Sequence, residues 1–246
     1  MSLSIILPTY NESGNITLLI DSLFKVCPSV LEIIVVDDHS PDGTADRVRE
    51  LMKSYPQLKC VERRERGLVS ALNSGLHLAR GEWVAWMDCD LSHPPELLVD
   101  LIATAKEGAW DAVIASRYAP GGRDSRHGPY RLQNYLSRIL SLTSLLMTGL
   151  AIRDVTSGYL IVKRKLLSEI GFLKGDYGEY FIDMLHKLHR RGATIKEIPY
   201  TFCNRVHGES KTATHWTGYF SRGIRYLLMM MKYSRLRPER RMDERL

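Results

Sequence analysis

Glu32-Ile33-Ile34-Val35-Val36-Asp37-Asp38-His39-Ser40-Pro41-Asp42-Gly43-Thr44 is the stretch on which the fold turns. Its first half is a short apolar run of the kind that is buried on both faces of a parallel sheet. It ends in two acids and a turn containing Pro41 and Gly43. Ser40 or Asp42 is then placed to open a helix over Thr44–Tyr55. Outward from this stretch the same handover recurs. Ser4–Leu7, Trp83–Met87 and Ala112–Ala115 read as further buried parallel strands. Ile16–Val26, Val69–Ala79 and Glu96–Glu107 read as helices, with Asn15 a start and Gly81 and Gly108 stops.

Strand-helix alternation predicts an α/β protein with a Rossmann-like, mostly parallel sheet flanked by helices. Such a sheet takes its ligands beyond the carboxyl ends of its strands. Past a Gly-, Pro- and Arg-rich loop (Tyr118 to Tyr130), helices are expected near Leu132–Met147, from Arg164 and over Glu179–Arg190. Strands are expected at Tyr159–Val162 and Ala193–Ile198, and a polar loop over Thr201 to Thr212. The 246 residues suit one sizeable domain, and 44% hydrophobic with 25% charged residues excludes general disorder. Cys27, Cys60, Cys89 and Cys203 form no CxxC pair, which argues against structural zinc and for a reducing compartment. No signal peptide is read at the first residues, and no run reaches the roughly 20 apolar residues of a membrane span. The longest apolar-rich stretch, Leu136 to Ile152, is broken by Ser137, Arg138, Ser141, Thr143 and Ser144.

The strongest chemical signal is Met87-Asp88-Cys89-Asp90-Leu91-Ser92, directly after an apolar strand. Two carboxylates one residue apart are hard oxygen ligands suited to Mg²⁺ or Mn²⁺ bridged to phosphate oxygens. A departing nucleoside diphosphate would need such a cation; two solvated acids in a turn is the plainer alternative. Asp37 and Asp38 end the second strand, where acids can accept hydrogen bonds from a base or ribose. Tyr10 and Glu12 follow the first strand, where Tyr10 could stack on a base and Glu12 contact it. An ordinary strand-to-helix loop is the alternative for each.

In this order the motifs resemble the family 2 inverting glycosyltransferases with the GT-A fold, most closely the dolichol-phosphate mannosyltransferase branch. The resemblance rests on PTYNE at Pro8–Glu12, VVDDHSPDGT at Val35–Thr44, MDCDLSHPP at Met87–Pro95, ASRY at Ala115–Tyr118, DVTSGY at Asp154–Tyr159 and RVHGESK at Arg205–Lys211. It implies that Pro8, Tyr10, Glu12, Val36, Asp38, Asp88, Cys89 and Asp90 hold the nucleotide sugar. It implies a metal at Asp88 and Asp90, with Ser92 where some relatives have a Gln ligand. Arg117, Arg205 and Lys211 would join the two acids in catalysis, facing the donor diphosphate and acceptor phosphate. Arg117, Arg131, Ser137 and Arg138 would bind the acceptor phosphate. The family places a basic residue four positions before the Ser137-Arg138 pair. This chain has Gln133 there, and Arg131 is the nearest substitute. Asp154, Thr156 and Ser157 would shape the site without reacting. The implied reaction moves a hexose, with GDP-mannose the favoured donor, to dolichyl or other polyprenyl phosphate with inversion.

The net charge is +6, with basic residues crowding the C-terminal end, including Arg222, Arg225, Lys232, Arg235, Arg237, Arg240, Arg241 and Arg245. Trp216, Tyr219, Phe220, Ile224, Leu227, Leu228 and Met231 share a broad helical face. These features predict residues 1–212 as the GT-A domain, 213–233 as an amphipathic membrane-surface helix and 234–246 as a charged, disordered tail. A basic tail attracts anionic headgroups. The expected place is peripheral, on the cytoplasmic face of a membrane, and no nucleic-acid partner is expected because no nucleic-acid motif or aromatic platform is read. A separate membrane subunit is a further expected partner. Two other readings remain open at this point. A hydroxyl acceptor would require a general base, with Asp154 or Glu179 as candidates. A non-catalytic nucleotide-sugar-binding subunit would leave the intact acidic and basic motifs without a use.

Overall fold

A computed structural model describes residues 1–125, 131–203 and 216–234, and only the backbone at 131–133 and 216–222. The strands are β1 (Leu3–Thr9), β2 (Glu32–Asp37), β3 (Leu58–Glu62), β4 (Trp83–Trp86), β5 (Ala112–Ser116), β6 (Arg123–Asp124), β7 (Leu160–Lys163), β8 (Ile195–Pro199) and β9 (Thr201–Phe202). The helices are α1 (Ile16–Val26), α2 (Thr44–Leu51), α3 (Leu68–Leu78), α4 (Leu97–Glu107), α5 (Arg131–Thr148), α6 (Arg164–Ile170), α7 (Glu179–Arg190) and α8 (Trp216–Ser234). Seven strands form one sheet in the order β3-β2-β1-β4-β7-β5-β8, and β6 pairs with β9 in a separate ribbon. β7 runs antiparallel to both β4 and β5; the other pairings in the large sheet are parallel. The α/β, mostly parallel expectation holds.

Alternate residues of each central strand enter different cores. Ile5, Leu7, Ile33, Val35, Trp83 and Ala85 face α1, α2 and α4 through Leu19, Leu23, Val48, Leu98 and Leu101. Ile6, Ile34, Val36, Val84 and Trp86 face α3, α6 and α7 through Leu72, Leu167, Phe181 and Leu185. Burial on both faces is why these strands are continuously apolar. β3 was not expected. It is an edge strand, and its Lys59-Cys60-Val61-Glu62 is only partly buried, so it lacks the apolar run. Gly75 of α3 presses on the sheet so closely that a Cβ there would lie 2.4 Å from Ile6 Cγ2.

Two expected helix signals act differently. Gly43, at φ 81°, is the N-cap of α2. Asp42 instead accepts the Thr44 amide at Oδ1 (3.0 Å) and the Ser13 amide at Oδ2 (3.0 Å). Ser40 accepts the Asn11 amide (2.9 Å), so it ties two loops together instead of capping. α3 ends at Leu78 with Ala79 as its C-cap, ahead of Gly81.

Candidate active site

Three neighbouring strand ends, β1, β2 and β4, lie at one edge of the sheet, and each is followed by a non-glycine residue in the left-handed region. These are Asn11 (φ 55°), His39 (φ 54°) and Leu91 (φ 63°). Asn and His tolerate this conformation, whereas for Leu91 it is costly. Backbone strain of this kind gathers at functional loops. The first two loops are stitched together. Pro8 is in register with Val36 and Thr9 with Asp37. The Thr9 hydroxyl donates to Asp37 Oδ1 (2.8 Å), while Asp37 also accepts the Ser40 amide (2.8 Å) and hydroxyl (2.6 Å). Asp37 is therefore occupied in shaping the loop.

Asp38 is buried one residue further on. Its Oδ1 accepts from Arg63 Nε (2.6 Å) and its Oδ2 from the Gly67 amide (2.7 Å). Arg63 continues to Ser70 Oγ (2.7 Å) and the Gly67 carbonyl (3.0 Å). Asp38 thus anchors the loop after β3. That loop brings Arg66 over the Tyr10 ring, with Cζ 4.3 Å from the centroid. Sequence reasoning missed Arg63 and Arg66 because it did not see β3; the Arg63-Arg64-Glu65-Arg66-Gly67 run was the available signal. Glu12 Oε2 accepts from Asn15 Nδ2 (2.9 Å), and the Glu12 amide donates to Thr44 Oγ1 (3.0 Å).

The third loop carries the paired acids. Asp88 is exposed, and Asp90 is buried at 3% exposure. Asp90 Oδ1 accepts both the Ser92 amide (3.0 Å) and the Ser92 hydroxyl (2.5 Å). Ser92 itself is fully buried. Cys89 Sγ donates to the Pro8 carbonyl (3.4 Å), which fastens this loop to the first. The Asp88 amide donates to His93 Nδ1 (3.0 Å). His93 is enclosed by Tyr159, Tyr200 and Phe202 at 5.1, 5.9 and 5.3 Å between ring centroids. Burial pushes its pKa down against the pull of Asp88 and Asp90, so the ring is neutral and Nδ1 remains an acceptor.

Among the described residues no three His, Cys, Asp or Glu side chains group as a metal cage. The donor set still fits a hard divalent cation. Mg²⁺ is commonly held by one or two carboxylates plus substrate phosphates and water, and an exposed Asp88 beside Asp90 supplies that much.

Arg117 departs from expectation. It is neither surface charge nor an open phosphate fork. Its guanidinium is buried and grips Asp154 through Nε to Oδ2 (2.8 Å) and Nη2 to Oδ1 (2.7 Å). Nη2 also donates to Thr156 Oγ1 (2.8 Å) and Ser137 Oγ (3.2 Å), and Nη1 lies 3.6 Å from Asp124. Burial alone would raise the Asp154 pKa, but Arg117 beside it holds the carboxyl below its ordinary value. The network joins the end of β5, the loop before β7 and the first turns of α5. Ser137, expected on acceptor phosphate, is part of it, in contact with Thr156. Arg138 is exposed on α5 and lies over the Tyr118 ring at 5.2 Å.

Glu179, the other candidate base, accepts the Asp176 (3.1 Å) and Tyr177 (3.2 Å) amides at the start of α7. Arg205 and Lys211 lie outside the described residues, as does the Arg131 side chain. The Cys203 amide donates to the Ser92 carbonyl (3.2 Å) beside the acidic loop.

A doubly wound sheet with strained loops and paired acids at its carboxyl edge is an enzyme architecture built to hold an anionic ligand. Residues 4–171 match the family described as Glycosyl transferase family 2. The chain belongs to that family and is a glycosyltransferase. It is 38% identical over 214 residues to the polyprenol monophosphomannose synthase of Mycolicibacterium smegmatis, covering 84% of this chain and 79% of that relative. It is 34% identical over 228 residues to the dolichol-phosphate mannosyltransferase of Pyrococcus furiosus, covering 86% of this chain but only 59% of the relative's length. Among solved structures it is similar to glucosyl-3-phosphoglycerate synthase from Mycobacterium tuberculosis. The complex with Mn²⁺, uridine diphosphate and glucosyl-3-phosphoglycerate superposes with a TM-score of 0.70 at 21% identity, over 96% of this chain and 81% of that one. The complex with Mg²⁺ and uridine diphosphate gives 0.71 at 20% identity, over 96% and 80%. This likeness establishes the GT-A-type fold.

Proposed function

We propose that the protein transfers mannose from GDP-mannose to a polyprenyl phosphate with inversion, giving a β-linked lipid-phosphate sugar. The names of the two mannosyltransferase relatives support the sugar and the carrier. One observation carries the choice of a phosphate acceptor: Asp154 is buried against Arg117, and Glu179 is committed to backbone amides. Both carboxylates that a hydroxyl acceptor would need as base are thereby occupied. A phosphate acceptor is ionised at neutral pH and requires positioning and charge neutralisation instead.

In this reading Pro8, Tyr10, Glu12 and Asp38 stand on the nucleotide side, where Val36 and Cys89, whose side chains are buried, offer their backbone. Asp88 and Asp90 hold Mg²⁺ or Mn²⁺, and Ser92 orients Asp90. The bound cation would neutralise the leaving diphosphate. Arg205 and Lys211 face the donor diphosphate, and Arg131 and Arg138 the acceptor phosphate. Arg117 and Ser137 hold α5 and the Asp154 loop in place, which is a positioning role. No helix of the described residues is long and apolar enough to cross a membrane. We assign α5 and α8, both with exposed apolar side chains, to the lipid surface where such an acceptor resides. A separate membrane subunit on this face is compatible with that assignment.

The test is to incubate the purified protein with labelled nucleotide sugars, Mn²⁺ or Mg²⁺ and polyprenyl phosphate. Label from GDP-mannose is expected in organic-extractable lipid, and Asp90→Ala is expected to abolish it. Label entering only a hydroxyl acceptor would overturn the proposal.

A further inference from the structure

The loop after β3 presents Arg66, a cation that nothing described so far uses. Arg63 is fixed by Asp38, Ser70 and the Gly67 carbonyl, and Gly67 is fixed by Asp38. The loop is thus tied at both ends by the same buried carboxylate. Between these ties stand Arg64, Glu65 and Arg66, all exposed. Arg66 makes no ion pair with any described residue. Its guanidinium lies over the Tyr10 ring, 4.3 Å from the centroid. A planar cation parked on a half-buried ring, on a loop tied down at both ends, covers the face of Tyr10 that a planar ligand would take.

We propose that Arg66 is the outer jaw of a nucleobase clamp, with Tyr10 the inner one. The inference rests on the nucleotide reading of this edge and adds a residue to it. Tyr10 provides a stacking platform, and a guanidinium plane stacks on heteroaromatic faces as readily as on tyrosine. On binding, the base enters between ring and guanidinium. Arg66 exchanges one aromatic face for another and keeps its hydrogen-bonding edge in water. The fixed ends of the loop limit the entropy lost in this exchange. The contact is made to the base, so its contribution follows the size of the base. A purine offers a wider face than a pyrimidine, which biases the site toward guanosine over uridine nucleotides without a dedicated hydrogen bond. The diphosphate, neutralised elsewhere, does not depend on it.

The experiment is calorimetric titration of the full chain and of Arg66→Ala and Arg66→Lys, with Mg²⁺ present. The probes are GDP, UDP and inorganic pyrophosphate. Arg66→Ala is expected to weaken GDP about five- to tenfold, the range of a partly desolvated cation–π contact. UDP should weaken less and pyrophosphate not at all. Arg66→Lys should fall between wild type and Ala, because it keeps the charge but loses the plane. Equal weakening of GDP and pyrophosphate would show a diffuse charge effect and overturn the clamp. Unchanged GDP affinity in Arg66→Ala would overturn it too, with the nucleotide site left intact. Wild-type protein that binds no nucleoside diphosphate would sink both the clamp and the reading beneath it.

Discussion

At the scale of the residue, the site is built by deciding which polar groups are spent on structure. His93 is the sharpest case. Its neutral ring accepts the Asp88 amide at Nδ1, while Nε2 has no hydrogen-bond partner among the described residues. An orphaned buried N–H costs about 1–3 kcal/mol, so the ring must return something. It does so by fixing the backbone at Asp88, the first of the two acids. His93→Phe keeps the packing with Tyr159 and Tyr200 but leaves the Asp88 amide without its acceptor. We expect roughly tenfold weaker Mn²⁺ binding in the presence of nucleotide, in line with losses of groups that orient metal ligands. His93→Asn, which restores an acceptor, should recover part of it. Unchanged Mn²⁺ affinity in the Phe variant would remove His93 from the site. The types of residue at this edge were legible in the sequence, and their assignments were less so. Asp38 and Asp37 sit side by side, yet only coordinates separate a loop staple from the anchor of Arg63. Arg117 matched a motif, but the motif could not reveal that Asp154 saturates its fork. Arg117→Ala would leave Asp154 and Asp124 buried without their cation, and the expected destabilisation is about 3–5 kcal/mol. Urea melts would measure it, and a loss under 1 kcal/mol would mean the network is not structural.

At the scale of the element, α5 is inverted. Among its described side chains the buried ones are Ser137, Ser141 and Ser144, and the exposed ones include Tyr135 (64%), Ile139, Leu142, Leu145 and Leu146 (76%). The serines that break the apolar stretch in the sequence lie on the inward face, together with the partly buried Leu140 and Met147, which period alone cannot reveal, because a helical stripe does not say which side meets the protein. α8 packs on α5 and α7. Its Tyr233 stacks on His186 of α7 (4.6 Å) and donates to Asp183 (2.6 Å). Burial pushes His186 down to about 4, with His189 lowering it further and Asp183 raising it. Ser144 of α5 lies 3.5 Å from its Nε2, and Lys232 of α8 lies 3.2 Å from Asp183. The unfolded chain takes up this proton near pH 6.5 and the folded one near 4. Unfolded protein therefore binds more protons between those values, and stability falls as the pH drops from 6.5 toward 4. The loss is at most about 3 kcal/mol. Melting temperatures at pH 7 and pH 4.5 should diverge in wild type and less so in His186→Phe. An equal divergence in both would acquit His186.

At the scale of the whole molecule, the two ends of the sheet are built to different ends. Around the amino-terminal edge the polar groups are closed upon each other: Glu32 accepts from Ser4 (2.7 Å), Lys59 (2.6 Å) and the Arg80 amide (2.7 Å). The carboxyl edge carries the left-handed residues, the exposed Asp88 and the Arg66 loop. Alternation made this polarity readable from sequence, since every polar motif follows an apolar run. The sequence was silent on what adjoins the edge. α5 runs from Ser137, at the buried Arg117 network, outward to its exposed leucines, so one helix connects the site with an apolar surface. Beside it α8 exposes Ile224, Leu227, Leu228 and Met231. Apolar surface of this kind, flanked by Arg138 and Lys232, suits an interface between acyl chains and headgroups. The consequence can be separated from catalysis. Leu142→Glu with Leu228→Glu changes only exposed positions, so folding should survive. The double variant is expected to lose flotation with anionic vesicles and activity on a long-chain carrier. Its activity on a short, water-soluble polyprenyl phosphate should stay near wild type, because that acceptor reaches the site without a membrane. Equal loss on both acceptors would place the two leucines in catalysis instead, and retained flotation would deny the surface its lipid.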